Sequence, residues 1–234
     1  VDESGTSVRA CSAESVATRI REAKASRPSR RTKGLAAKIQ QAIEPSMTEM
    51  FFARAPIFVE SLEDVAHITA GMHILGYWEE SRRHGCHIIP ANAKSRLIHP
   101  VASAADLEIP FFPVFDSDGG ETVHPRRDKH SQDNRALMRL LGLAGPEFPE
   151  GHVYGSNYAM WKDDIGQAVR DDFADKTYKA ATEPAMAKYG HERRMQKIGV
   201  FIAEWLAAAA DAGETSPTLE RLCDAILAFG ADAG

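Results

Sequence analysis

Apolar positions along the chain follow two spacings, that of amphipathic helices and that of short buried strands. From about Ala13 to Ile43 the spacing is helical. Val16, Ile20 and Ala23 share one face and Leu35, Ile39 and Ile43 another, with a break at Arg27-Pro28-Ser29. Ser12 and Ser15 are placed to cap the first helix, and Pro45-Ser46 marks a boundary. The texture changes from Phe51. Pro56-Ile57-Phe58-Val59 is a short apolar run closed by an acid, as in a buried parallel strand. Val65, Ile68, Met72 and Leu75 then predict a helix, and Cys86-His87-Ile88-Ile89 a second strand followed by a loop from Pro90 to Ser95. A short helix about Ala102 to Leu107 leads into a third strand, Phe111 to Phe115, which ends in Asp116-Ser117-Asp118-Gly119-Gly120. A polar, basic connection, a helix from about Asp133 to Leu141 and a weaker fourth strand near Val153 to Tyr158 complete this region. Alternating strands and helices predict a parallel sheet covered by helices. Beyond Asp163 the pattern is helical, over Ala180 to Tyr189, Arg194 to Ala210 and Thr218 to Phe229, and no internal repeat is visible. The expected organisation is a helical segment at 1–49, an α/β domain at 50–170, and a helical segment at 171–234 packing with the N-terminal helices.

Composition narrows the class without choosing a function. The chain has 234 residues, 44% of them hydrophobic, enough for a substantial core. No apolar run approaches the roughly 18 residues of a membrane span, and no signal segment opens the chain. Cys11, Cys86 and Cys223 are far apart and lack metal-ligand spacing, which argues against a disulfide scaffold or a zinc site and fits a reducing cytoplasm. The net charge of −5 is weak evidence about nucleic acid, since carboxylates concentrated at one site can offset basic surface elsewhere. The polar opening at Val1, without an initiator Met, reads as part of a longer protein.

Ligands of a parallel sheet bind beyond the carboxyl ends of its strands. Glu60 closes the first predicted strand, Asp116 and Asp118 close the third, and Asp64 lies one helical turn beyond Glu60. Four carboxylates converging there would repel one another strongly unless cations neutralised them. Hard oxygen donors of this kind suit Mg²⁺ or Mn²⁺. An isolated Asp-X-Asp-Gly-Gly is ordinarily a turn, and Glu60, Glu63 or Asp64 alone would serve as a cap or a first-turn dipole partner. The joint order of strand, Glu, helix, two further strands and Asp-X-Asp is not expected from turn chemistry.

That order resembles the Toprim fold shared by topoisomerases, primases, RecR-type proteins and certain nucleases. Its hallmarks are a Glu after the first strand, usually followed by Gly, and an Asp-X-Asp after the third. Phe58-Val59-Glu60-Ser61 carries Ser in place of that Gly, and Ala93-Lys94-Ser95 is similar to the Gly-Lys pair often found after the second strand. The stretch from Pro45 through Phe51-Phe52-Ala53-Arg54-Ala55 to Glu60, with Asp64 four residues on, looks most like the C-terminal nuclease part of OLD (overcoming lysogenization defect) proteins. The likeness covers roughly Pro45 to Asp118 well and the remainder loosely.

The resemblance implies two bound ions, one held by Glu60 with Asp116, the other by Asp64 with a downstream acid after the fourth strand, Asp163 or Asp164. Asp118 would serve either ion. It also implies a lysine near the scissile phosphate, for which Lys197 is the candidate, and an N-terminal ABC-type ATPase. No Gly-X-X-X-X-Gly-Lys-Ser/Thr loop occurs in this sequence. Solvated surface is the common fate of lysines and of first-turn acids, and both readings stand beside the functional one. The expectation is a cytoplasmic, Mg²⁺- or Mn²⁺-dependent DNA endonuclease. Two ions about 3.5–4 Å apart would activate water and stabilise the attacking and leaving oxygens, with the lysine neutralising added charge. The five tyrosines show no context that singles one out as a topoisomerase nucleophile.

Two basic stretches could follow a DNA backbone: Arg27, Arg30, Arg31 and Lys33, and His124, Arg126, Arg127, Lys129 and His130 beside the acidic loop. His67 and His73 sit among apolar neighbours and read as core or rim residues. A receiver-like or phosphatase domain would need a lone acceptor Asp with Ser or Thr and Lys at later strand ends, a pattern not found here. The remaining alternative is a catalytically silent Toprim-like module for DNA binding or assembly.

Overall fold

The computed structural model describes residues 9–25, 48–190 and 197–233. The helical pattern expected after Arg27, and the basic stretch Arg27 to Lys33, lie outside these residues. The elements in chain order are α1 (Ala13–Ala23), a 3-10 turn (Glu49–Phe51), β1 (Ala55–Val59), α2 (Leu62–Ile74), α3 (Trp78–Arg83), β2 (Cys86–Pro90), α4 (Lys94–Leu107) and β3 (Phe112–Asp116). There follow α5 (His124–Leu140), β4 (Val153–Tyr154), β5 (Ala159–Trp161), α6 (Ile165–Asp171), α7 (Asp175–Tyr189), α8 (Gly199–Asp211) and α9 (Pro217–Asp232).

Five strands form one sheet in the order β2-β1-β3-β5-β4. β1 is parallel to β2 and β3, β3 is parallel to β5, and only β4 runs antiparallel, against β5. The single strand expected near Val153 to Tyr158 is thus a hairpin, turned at Gly155, whose amide donates to the Tyr158 carbonyl at 2.8 Å. Period-two alternation sends side chains to opposite faces. Ile57, Val59, Phe112, Val114, Ala159 and Trp161 face a core with α2, α6, α7, α8 and α9. Phe58, Phe115 and Met160 face a second core with α1, α4 and α5.

α1 begins with the reciprocal cap expected from its sequence: the Ser15 amide donates to Ser12 Oγ and the Ser12 amide to Ser15 Oγ, both at 3.0 Å. It is tied down by Arg19 to Asp106 at 3.2 Å and by Arg139, which donates to the Ala23 carbonyl at 2.8 Å. α1 therefore lies on the face opposite α7, α8 and α9, whereas the sequence predicts N-terminal helices packing with C-terminal ones; the second N-terminal helix of that expectation lies outside the described residues.

Two helices are longer than the apolar pattern predicts. α4 starts at Lys94 and continues through Pro100, a buried residue that removes only its own backbone bond. α5 starts at His124, with Pro125 at the helix entrance where its missing amide is harmless. The basic stretch expected as a loop is the opening of this helix. Arg127 and His130 turn toward the acidic loop while His124, Arg126 and Lys129 are exposed, so the stretch carries no apolar periodicity.

Candidate acidic site

Backbone pairing between β1 and β3 is short, Ile57 with Phe112 and Phe58 with Pro113. Beyond it a side chain takes over: Glu60 Oε1 accepts from the Asp116 amide at 2.9 Å. This joins the ends of two adjacent strands and brings Glu60 and Asp116 together as the sequence predicted. Asp64 joins them from the first turn of α2. Its Oδ2 accepts from the Ser61 amide at 2.8 Å and the Ser61 hydroxyl at 2.6 Å, while Ser61 Oγ accepts from the amides of Glu63 and Asp64. Ser61, in the place where Gly is usual, is the helix cap. Its backbone is extended, with φ −147°, and has no need of glycine.

The other oxygens of two acids are left over. Asp64 Oδ1 and Asp116 Oδ1 are buried without a hydrogen-bond partner among the described residues. Burial pushes the Glu60 carboxyl up to about 8, with Lys94 and the Asp116 amide opposing and Asp64 and Asp118 adding. Burial also raises Asp64, to about 6, against the hydrogen bonds from Ser61. Asp116 is driven well above the usual carboxylate range by burial first and then by Glu60 and Asp64.

Asp118 lies in the loop after β3 with a left-handed backbone, φ +54°. Lys94, from the start of α4, pairs with its Oδ2, and His130 Nδ1 lies 2.8 Å from the same oxygen. The loop is clamped to the end of β5. The Gly119 amide donates to the Lys162 carbonyl at 2.9 Å, the Gly120 amide to Asp163 Oδ1 at 2.6 Å, and the Ser117 hydroxyl to the Lys162 carbonyl. A Cβ on Gly119 would come within 2.7 Å of that carbonyl, so the close approach requires glycine. Arg127 braces the loop from α5, donating to the carbonyls of Gly119 at 2.7 Å and Glu121 at 3.0 Å while lying over the Phe148 ring. Of the basic stretch, Arg127 and His130 are thus committed to the acidic loop itself.

A second cluster borders the first. Asp164 caps α6 through the Gln167 amide at 2.8 Å, and Lys197 pairs with Glu63 at 2.9 Å. A Cβ placed on Gly166 would meet both Glu63 Oε1, at 2.6 Å, and Asp164 Oδ1, at 3.2 Å. Lys197 is raised by its bond to Glu63 and feels Asp164 and Asp116, although its side chain is 67% exposed. His67 is buried, with Nδ1 2.9 Å from the Glu63 carbonyl, and burial lowers it to about 4. It is a core residue, and His73 stacks on Trp78 at the surface.

Sequence reasoning gave Glu63 only a dipole role and did not assign His130 to Asp118. Glu63 was detectable in principle, as an acid beside Asp64 in the first turn of α2. Among the described residues no three acid, imidazole or thiol groups are already arranged as a cage for a metal ion. The site is a nest of carboxylates held close, two with unbonded oxygens, and flanked by Lys94 and Lys197.

A three-layer α/β fold with acids after β1 and β3 is of the Toprim class. Residues 51–118 match the family described as "Overcoming lysogenization defect protein-like, TOPRIM domain". That span contains Glu60, Asp64, Lys94, Asp116 and Asp118 and bears out the likeness to an OLD-family Toprim region. A solved structure of the C-terminal region of the Burkholderia pseudomallei OLD protein is similar at 18% identity, covering 77% of this chain and 98% of that one with a TM-score of 0.44. No curated protein matches the chain. Among the described residues no helix is long and apolar enough to cross a membrane.

Proposed function

We propose that this chain is a divalent-cation-dependent DNA endonuclease, the hydrolytic part of a larger cytoplasmic protein that carries an N-terminal ABC-type ATPase. The observation that supports it best is the pair of buried, unbonded oxygens on Asp64 and Asp116 beside Glu60. Such oxygens are costly in a dry site unless a cation or proton meets them. The donor set is all carboxylate, which suits Mg²⁺ or Mn²⁺ over softer ions.

Glu60 and Asp116 would hold one ion and Asp64 the second, with Asp164 favoured over Asp163 because Asp164 lies beside Glu63 and within the field of Lys197, whereas Asp163 clamps the acidic loop through the Gly120 amide. Asp118 is available to either ion once released from Lys94. When bound, the ions would supply Lewis acidity for a water nucleophile and for the leaving oxygen. The chain's own residues supply the frame. Ser61 fixes Asp64, the Asp116 amide fixes Glu60, and the Gly119–Gly120 turn fixes Asp118 against β5. Lys197, exposed at the rim and paired with Glu63, would counter charge on a bound phosphodiester.

Plasmid nicking with Mg²⁺ or Mn²⁺ tests this reading. The native chain should nick, and Asp116→Ala should lose at least about a hundredfold, the scale of removing a group that stabilises developing charge. Equal nicking by both proteins would overturn it. The pairing of Asp118 with Lys94 and His130 favours a second reading, a silent DNA-binding module. That reading expects gel-shift binding without cation-dependent nicking.

A further inference from the structure

The acid centre already contains a cation of its own. Lys94 is only 6% exposed; its ammonium pairs with Asp118 and lies 3.5 Å from Nδ1 of His130. A lysine ammonium is a compact, strongly hydrated charge, so burial to this degree needs compensation. The local backbone opposes it. Lys94 is the first residue of α4, where the helix dipole favours anions, and Ala93 provides no capping side chain. What holds the ammonium is the Asp118 carboxylate, by contact, with Glu60 and Asp116 near enough to feel its charge. Asp118 meets it from a left-handed backbone, the conformation being fixed by the Gly119 amide on the Lys162 carbonyl at 2.9 Å. The same pairing leaves Asp118 engaged by both Lys94 and His130.

We propose that Lys94 is a built-in counter-ion of the acid centre, engaging Asp118 where a divalent cation would otherwise draw on it, so that cation binding requires the Lys94–Asp118 pair to open. Lys94 is then a positioning residue that acts through Asp118 and sets the cation affinity of the site. This inference rests on the metal-dependent reading above.

Calorimetric titration of the full chain with Mn²⁺ tests it, on the native protein and on Lys94→Met, Lys94→Gln and Lys94→Arg. Removing the positive charge in the Met and Gln forms should tighten Mn²⁺ binding about tenfold or more, because a like charge no longer opposes the incoming ion. The Arg form should stay near the native affinity. Unfolding temperature is the second readout. Without metal the neutral variants should melt lower, and saturating Mn²⁺ should raise them more than it raises the native chain. Should Lys94→Met fail to fold, Lys94→Gln keeps a donor for Asp118 and carries the test. Native binding with unchanged or weaker affinity in the neutral variants overturns the counter-ion role alone. No Mn²⁺ binding in any form overturns it together with the metal-dependent reading.

Discussion

Asp64 uses its two oxygens for different ends. Oδ2 closes the cap of α2 with Ser61, and Oδ1 is left buried beside Glu60 and Asp116. The capping role of this acid is therefore present, and the free Oδ1 is what the proposed metal-ligand role would use. The burial of these acids has a consequence for stability against pH. The Glu60 carboxyl rises from 4.5 to about 8, so the native state holds a proton that the unfolded chain releases. Its stabilising effect is full below pH 4.5 and is lost as pH rises through about 8. Asp64 and Asp116 shift in the same direction and reinforce it. In metal-free buffer the unfolding temperature should fall between pH 5 and pH 8.5, and Glu60→Gln should flatten that fall. Mg²⁺ should raise the unfolding temperature more at pH 8.5 than at pH 5, where protons compete for the same oxygens. An identical Mg²⁺ shift at both values would show that the ion binds elsewhere.

Elements place these acids through their ends. The start of α2 is set by Ser61, whose hydroxyl accepts from two amides. Ser61→Ala should cost about 1 kcal/mol in urea unfolding, whereas Ser61→Gly should cost only a few tenths, because glycine is itself an acceptable cap. A cost for Gly as large as that for Ala would mean that the serine hydroxyl matters mainly through Asp64. α5 positions the acidic loop by a different means. The side-chain amide of the buried Asn134 donates to the carbonyls of Ser117, at 2.8 Å, and Glu147, at 2.9 Å. The strands and α2 were legible because their apolar runs are short, dense and bounded. The first turns of α4 and α5 were not, since Lys94 and His130 turn toward carboxylates and leave no apolar stripe.

At the scale of the molecule, the described residues form two cores that share one sheet. Alternate residues of β1, β3 and β5 belong to opposite faces, so neither core persists without the strands of the other. The three tryptophans, Trp78, Trp161 and Trp205, all report on the face covered by α2 and α8. Ile20 lies in the other core, on α1. Ile20→Ala should cost about 2–5 kcal/mol by removing buried methyls. If the sheet couples the faces, tryptophan fluorescence and far-ultraviolet circular dichroism should shift to lower denaturant together. A fluorescence transition that stays in place while helical signal is lost would show that α1 and its partners unfold as a separate unit.

The sequence by itself determined the alternation of strands and helices, the acids at the ends of β1 and β3, and the capping of α1. Each of these is written in neighbouring residues: periodicity, a terminal acid, a serine before a helix. Only the tertiary structure decided that β4 turns back on β5, that α1 and the C-terminal helices lie on opposite faces, and that Lys94, Glu63 and His130 belong to the acid centre. These depend on groups far apart in the chain meeting in space, and a lone lysine or histidine carries no local mark of the carboxylate it will meet.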